Sequence, residues 1–442
     1  MFGQPNSARG RAGGAWGVEY FVFMDLDPDV APPLSSNLWL RVAHAISEAT
    51  PQSAFACLLA LGWCLTVSAF LQWFRRAQVR TKRAPQKTPK EAPLDSRARG
   101  CMLGAAVGDA LGAGCEMMTR DLIATTYGCV KAYIPTSLQK FGGENQRIPG
   151  CYTDDTEMAL GLALSLTEMR GDVDTASVAA HHMRLYSPWR GYGSGTTAVL
   201  QALIAGEASP LTCGLELTRP TYAPKATWQG SKSNGGAMRI HPLGLLAAAA
   251  GASDEDVRRA TAAALLPTHT HPEGVDAACI QAAAVSRLCR RSAAGLRVGP
   301  LLEELASLAQ TGAMRAKLQT LRSGIEAGLS EEHLVDNEED GLLGLDGVHG
   351  VEAVACALCC LAFHAHEPAE GIVAAVGYGG DCDTIAGMAG ALLGALHGAP
   401  EAWMPKAWVA GFEPAGHGGY SWDAMARVGR ELVAVGRLRV EV

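Results

Sequence analysis

The sequence predicts an all-α protein, and three observations carry that expectation. Apolar residues make up 48% of the 442 residues, while Phe, Trp and Tyr together reach only 6%. The apolar content is carried by Ala and Leu, which lose least on entering a helix. No run alternates at period two for long enough to argue a sheet.

Taken in order, helices are expected near 99–112, 154–169, 174–186, 195–205, 236–250, 254–265, 273–290, 300–310, 313–328, 349–366, 368–376, 384–397 and 421–436. In the second, Met158, Leu160, Leu162, Leu164 and Leu166 are interleaved with good helix formers. Ala277 to Val285 makes 273–290 Ala-rich. The helix at 349–366 is nearly uncharged, with Ala and Leu on all sides, which predicts burial all round. Ile385 to His397 is an Ala/Gly/Leu stretch with almost no polar side chain. Its small residues would let another helix approach closely, so it reads as a buried central helix. Ser330 to Asp346 is acidic and contains glycine, and reads as a surface loop. No internal repeat is present.

The first hundred residues have a different character. Residues 1–53 are expected to be a poorly ordered N-terminal segment. Ala54 to Phe74 holds no charge for 21 residues, long enough to cross a bilayer. Arg75, Arg76, Arg80, Lys82 and Arg83 follow at once, and would place the remainder of the chain on the cytoplasmic side. A single-pass membrane anchor at 54–74 is the favoured expectation. An internal signal segment or a buried helix is the alternative, because Gly62, Cys64, Thr66, Ser68 and Gln72 moderate the hydrophobicity; the protein would then be soluble in the cytoplasm or an organelle. Residues 75–98 read as a basic, Pro-containing linker, and 99–442 as one folded domain.

Charge divides along the same line. Residues 75–99 carry nine basic and two acidic side chains, although the whole chain has a net charge of −7. The region after residue 99 is therefore acidic, which argues against unspecific nucleic-acid binding. An anionic ligand would have to be held locally, by metals and helix ends. Thirteen cysteines, an odd number without framework spacing, read as reduced thiols.

Two acidic clusters carry the chemistry. Thr153-Asp154-Asp155-Thr156 and Asp381-Cys382-Asp383-Thr384 each open an expected helix. Either alone is explained by capping, where Asp and Thr accept bonds from orphan N–H groups. Two carboxylates per cluster exceed what a cap needs, and their repulsion requires an offset. If the clusters meet, four carboxylates and two hydroxyls converge on one point. Hard oxygen ligands select Mg²⁺ or Mn²⁺, and the surplus of charge suggests a binuclear site.

Further motifs join these in one order: Gly108-Asp109-Ala110-Leu111-Gly112 with Glu116, Thr153 to Glu157, Ser233-Asn234-Gly235-Gly236-Ala237-Met238-Arg239, Thr268-His269-Thr270-His271-Pro272, and Gly379 to Thr384. Over about 99–410 the chain resembles the ADP-ribosylglycohydrolases, the family of the dinitrogenase reductase-activating glycohydrolase and the ADP-ribosyl-acceptor hydrolases. The resemblance implies a compact multi-helix domain with two Mg²⁺ or Mn²⁺ ions in a central cleft. It implies cleavage of ADP-ribose from a protein side chain, arginine- or serine-linked, or from a related conjugate. The alternative is a non-catalytic ADP-ribose-binding module. The catalytic domain is expected to be monomeric.

Carried over by position, Thr153, Asp154, Asp155, Asp381, Asp383 and Thr384 look like the metal ligands, and Glu116 like the catalytic glutamate. Ser231, Asn234 and Gly235 fall where the family has a loop around the diphosphate and ribose, and His269 where a histidine faces the ligand. Arg190 to Gly195, with Gly193, resembles a glycine-rich loop of the acceptor-hydrolase branch. Lys232 stands where serine-specific members place an aromatic residue, and Trp228 could take over the stacking. Arg190, Lys232 and Arg239 are candidate phosphate partners. His269 and His271, and the Cys356, Cys359, Cys360, His364, His366 group, mimic zinc spacing but read better as core packing and buried thiols.

Overall fold

The computed structural model describes residues 93–135, 148–221, 223–336, 341–344 and 346–440. The candidate anchor at 54–74, the N-terminal segment 1–53 and most of the linker lie outside these residues. Among the described residues no helix is long and apolar enough to cross a membrane.

Fourteen helices of eight or more residues are present among the described residues, with no strand beyond two isolated bridges. They are α1 (Pro93–Gly112), α2 (Arg120–Tyr127), α3 (Asp154–Glu168), α4 (Thr175–Leu185), α5 (Ser194–Ile204), α6 (His241–Ala250) and α7 (Asp254–Leu265). Then come α8 (Pro272–Leu288), α9 (Val298–Leu308), α10 (Gly312–Glu326), α11 (Gly350–His364), α12 (Pro368–Val376), α13 (Cys382–His397) and α14 (Trp422–Leu438).

The centre is the pairing of α1 with α13, and small residues decide it. Gly100, Gly104, Gly108 and Gly112 recur every four residues, forming one stripe on α1. Opposite them stand Gly394, Gly390, Ala386 and the backbone of Asp383. A Cβ at Gly104 would lie 2.3 Å from the Gly390 carbonyl oxygen, and one at Gly394 would lie 1.9 Å from that of Gly100. The helices therefore touch backbone to backbone, which only glycine permits. This contact sets Asp109 on α1 beside the start of α13.

Other helices close the core around that pair. Along α8 almost every residue from Ala277 to Leu288 is buried, and Gln281 donates to the Met388 carbonyl of α13 at 3.1 Å. The amphipathic α14 lays Gly429 against Ala98 and Gly436 against the backbone of α6. Cys356, Cys359 and Cys360 on α11 are wholly buried, and burial pushes all three thiols up.

Two helix starts and two additional helices depart from expectation, each for a local reason. Helix α1 begins at Pro93 rather than 99, because Ser96 Oγ accepts from Ala399 N at 2.8 Å and Arg97 donates to Ala395 O at 2.9 Å. Helix α6 begins at His241 rather than 236; Asn234–Gly236 is a 3-10 turn and Pro242 fits the first turn. Helix α2, capped by Thr119, was not expected from its β-branched sequence. A short helix, Glu331–Asp336, occupies part of the expected loop at 330–346, where Glu331 binds Tyr378 and His364.

Candidate metal centre and ligand cleft

The first acidic cluster is held from below by Asp109. Its carboxylate, fully buried, accepts from Thr153 N at 3.0 and 3.1 Å, from Thr156 N at 3.1 Å and from Thr156 Oγ1 at 2.5 Å. An aspartate on another helix thus caps the start of α3, leaving Asp154 and Asp155 for other work. Thr153 is the N-cap residue, with its Oγ1 accepting from Asp155 N at 3.2 Å. All four residues of the cluster are buried.

The second cluster is fixed by the loop before it. Gly379 and Gly380 both adopt left-handed φ, +80° and +63°, and Gly380 passes so close to Asp346 that a Cβ would meet its carbonyl at 2.3 Å. Gly380 also pairs with the segment after α1: Met117 N donates to Gly380 O at 2.7 Å, and Gly380 N to Met118 O at 2.8 Å. That bridge carries Glu116 to Asp381. One carboxylate oxygen from each of Glu116, Asp381 and Asp383 lies within 4.8 Å of the other two. Thr384, buried beside them, donates its N–H to Asp383 Oδ1 at 3.0 Å.

The two clusters share one electrostatic environment. Burial first, then Asp109, Asp383, Asp154 and Asp381, push the Asp155 carboxyl well above the carboxylate range. Burial and the charge of Asp383 raise Asp109 to about 7, against the hydrogen bonds from Thr156 and Thr153. Cys382 is not part of the donor set, since its thiol is directed to Gly112 O at 3.6 Å. The donors are therefore all oxygen. Asp155 Oδ2 is buried with no hydrogen-bond partner among the described residues. Converging oxygens with an unanswered buried lone pair fit a divalent cation of the Mg²⁺ or Mn²⁺ type.

The expected ligand loop forms a second, connected network. Asn234 Nδ2 donates to Asp381 Oδ2 at 2.8 Å and to Gly347 O at 3.1 Å, so this side chain steadies the second cluster. Ser231 Oγ donates to Ser233 Oγ at 3.0 Å, which pairs with His269 Nε2 at 2.9 Å, while His269 Nδ1 pairs with Thr268 Oγ1 at 2.8 Å. Gly235 lies against the imidazole, where a Cβ would stand 2.9 Å from Cε1. Burial, then Arg239, hold His269 well below the usual histidine range, so it is neutral at pH 7. Gly193 is the N-cap of α5, exposed, with open space where a Cβ would stand.

Two of the three candidate phosphate partners are otherwise engaged. Arg190 is 1% exposed and paired with Glu157 at 2.9 Å and Glu413 at 2.7 Å. Arg239 is equally buried and donates to Thr268 Oγ1 at 2.5 Å and to Gly235 O. Lys232 is exposed and pairs loosely with Glu273, at 3.4 Å. Trp228 is half-buried and donates to Leu215 O at 3.0 Å. His271 caps α8 by accepting from Glu273 N. The structural weight of Asp109, Arg190 and Glu413 was missed in the sequence. The signal for Asp109 was the four-residue glycine stripe around it.

Known proteins match this chain as follows. The family described as ADP-ribosylglycohydrolase matches residues 90–439. ADP-ribosylhydrolase ARH3 of Bos taurus is 30% identical over 334 residues, covering 70% of this chain and 88% of the relative. The ADP-ribosyl-(dinitrogen reductase) glycohydrolase of Rhodospirillum rubrum is 29% identical over 321 residues, covering 71% and 90%. A solved structure described as an ADP-ribosylglycohydrolase-related protein complex superposes with a TM-score of 0.55 at 25% identity, covering 78% of this chain and 99% of that one.

Proposed function

The chain belongs to the ADP-ribosylglycohydrolase family, and on that premise we propose that it hydrolyses the glycosidic bond joining ADP-ribose to a protein side chain, using divalent cations held between its two acidic clusters. The observation that carries this reading is the meeting of Glu116, Asp381 and Asp383, with Asp155 in the same field, from segments more than two hundred residues apart.

Breaking this bond requires stabilisation of an oxocarbenium-like centre, a water nucleophile and a proton for the leaving group. Cations bound here would supply Lewis acidity toward the ribose hydroxyls and a water. Asp154, Asp155, Asp381 and Asp383, with Thr153 and Thr384, are the residues assigned to hold them. Asp109 and Asn234 keep these ligands aimed, the first through the α3 backbone and the second through Asp381. Glu116 is assigned the proton movements, because it sits among the ligands on a turn rather than inside a helix. The loop Ser231–Gly235 and Gly193 are assigned to the diphosphate and ribose, where backbone N–H groups suit anionic oxygens. His269, neutral and bonded through both ring nitrogens to Ser233 and Thr268, is assigned to steady this loop against the ligand without adding charge.

The test is release of free ADP-ribose by the purified full chain from arginine-linked and serine-linked substrates, with Mn²⁺ and with EDTA. Release from one linkage, abolished by chelation, supports the proposal. Tight ADP-ribose binding without release from any conjugate would make the protein a binding module instead. The sequence at 54–74 is proposed as a single-pass anchor, and extraction of the full chain by carbonate would contradict it.

A further inference from the structure

Beside the metal ligands lies a second buried group of charges that the proposed chemistry does not use. Arg190 follows α4 and begins the loop Arg190–Gly195; Glu413 lies far along the chain, before α14. Their meeting point is the peptide of Tyr152, the residue immediately before the first acidic cluster. Arg190 Nη1 donates to Tyr152 O at 2.6 Å, and Glu413 Oε2 accepts from Tyr152 N at 3.3 Å. Both main-chain polar groups of that peptide unit's residue are thus held by one ion pair, itself 2.7 Å long. The guanidinium also lies 3.7 Å above the Tyr152 ring.

The same group reaches two further places. Glu157, in the first turn of α3, pairs with Arg190 and accepts from Ser187 N and Tyr192 OH, each at 2.8 Å. Tyr192 belongs to the glycine-rich loop. Glu413 holds φ +40°, an unfavourable conformation for a non-glycine residue, and Gly419 leaves no room for a Cβ beside its carboxylate. Such strain persists only where the surroundings fix it.

We infer that Arg190 and Glu413 are positioning residues that hold Thr153–Asp155 and the Arg190–Gly195 loop in register, so that cation binding and ADP-ribose binding are coupled through one buried ion pair. This rests on the proposed function. A balanced pair suits the role, because it fixes direction at both main-chain groups while adding no net charge beside the carboxylates. The guanidinium fork matters more than its charge, since three separate acceptors lie around it.

The experiment uses the full chain and the variants Arg190→Lys, Glu413→Gln and Tyr192→Phe, each checked for a cooperative thermal transition in EDTA. Mn²⁺ and ADP-ribose binding are then measured by calorimetry. Arg190→Lys and Glu413→Gln are expected to weaken Mn²⁺ binding about tenfold or more, as outer partners of metal ligands do. The double variant should lose little beyond either single one. Tyr192→Phe, the mildest change, should weaken ADP-ribose more than Mn²⁺ and remains informative where the others fail to fold. Wild-type binding of both ligands by the folded variants would overturn the inference alone. Absence of Mn²⁺ binding by the unmodified chain would overturn the functional reading, and this inference with it.

Discussion

Two groups of buried charge adjoin the start of α3, and their difference separates scaffold from chemistry. Around Arg190 the charges are of both signs: the carboxylates of Glu157 and Glu413 share one guanidinium, and a carbonyl takes another of its N–H groups. Around Asp155, the dominant charges are Asp109, Asp383, Asp154 and Asp381, all of one sign. Burial is similar in both groups. A group that contains its own counter-charge fixes geometry, whereas a one-signed group calls for protons or cations from outside.

Mutations at each group should therefore fail in opposite ways. The largest effect is expected from Asp383→Asn, which should abolish ADP-ribose release and Mn²⁺ binding while raising the thermal midpoint in EDTA, because one like charge leaves the cluster. A lowered midpoint in EDTA would contradict the claim that repulsion dominates there. Glu116→Gln should lower kcat by about 10²- to 10⁴-fold while Mn²⁺ still binds, which separates proton transfer from ligation. In the mixed-sign group, Arg190→Met should cost about 3–5 kcal/mol in denaturant melts, since it leaves the buried Glu157 and Glu413 carboxylates without a counter-charge. A loss below about 1 kcal/mol would show that water reaches those carboxylates and that the comparison is drawn too sharply.

Much of this was legible in the sequence, where local pattern and tertiary role coincide. The start of α3 at Asp154 and the course of α12 and α13 follow from capping residues and composition. Two carboxylates per cluster exceed what a cap requires and so point to a cation, whereas Glu116 enters only through the family resemblance. The rest depends on contacts that no local window contains. Asp109 reads as one polar residue on an apolar helix, and only the backbone contact of Gly104 with Gly390 reveals why it faces α3. Arg190 looks like an exposed phosphate partner until Glu413, 223 residues later, is seen to close over it. The short helix Glu331–Asp336 has the composition of a loop, and it is held by Tyr378 and His364 from other elements.

The central claim is that a one-signed, proton-retaining group of carboxylates is completed by divalent cations. With Asp109 raised to about 7 and Asp155 raised by burial and its neighbours, the metal-free protein retains protons that the unfolded chain gives up near pH 4. The stability these groups contribute is full below the ordinary carboxyl range and is lost as pH rises through about 7. Cation binding has to displace those protons. The direct measurement is calorimetric titration of the metal-free full chain with Mn²⁺ between pH 5 and 8, in buffers of different ionisation enthalpy. The account predicts affinity that climbs with pH, with protons released on binding and ADP-ribose hydrolysis appearing in step. Binding without proton release, or hydrolysis indifferent to chelation, would contradict it.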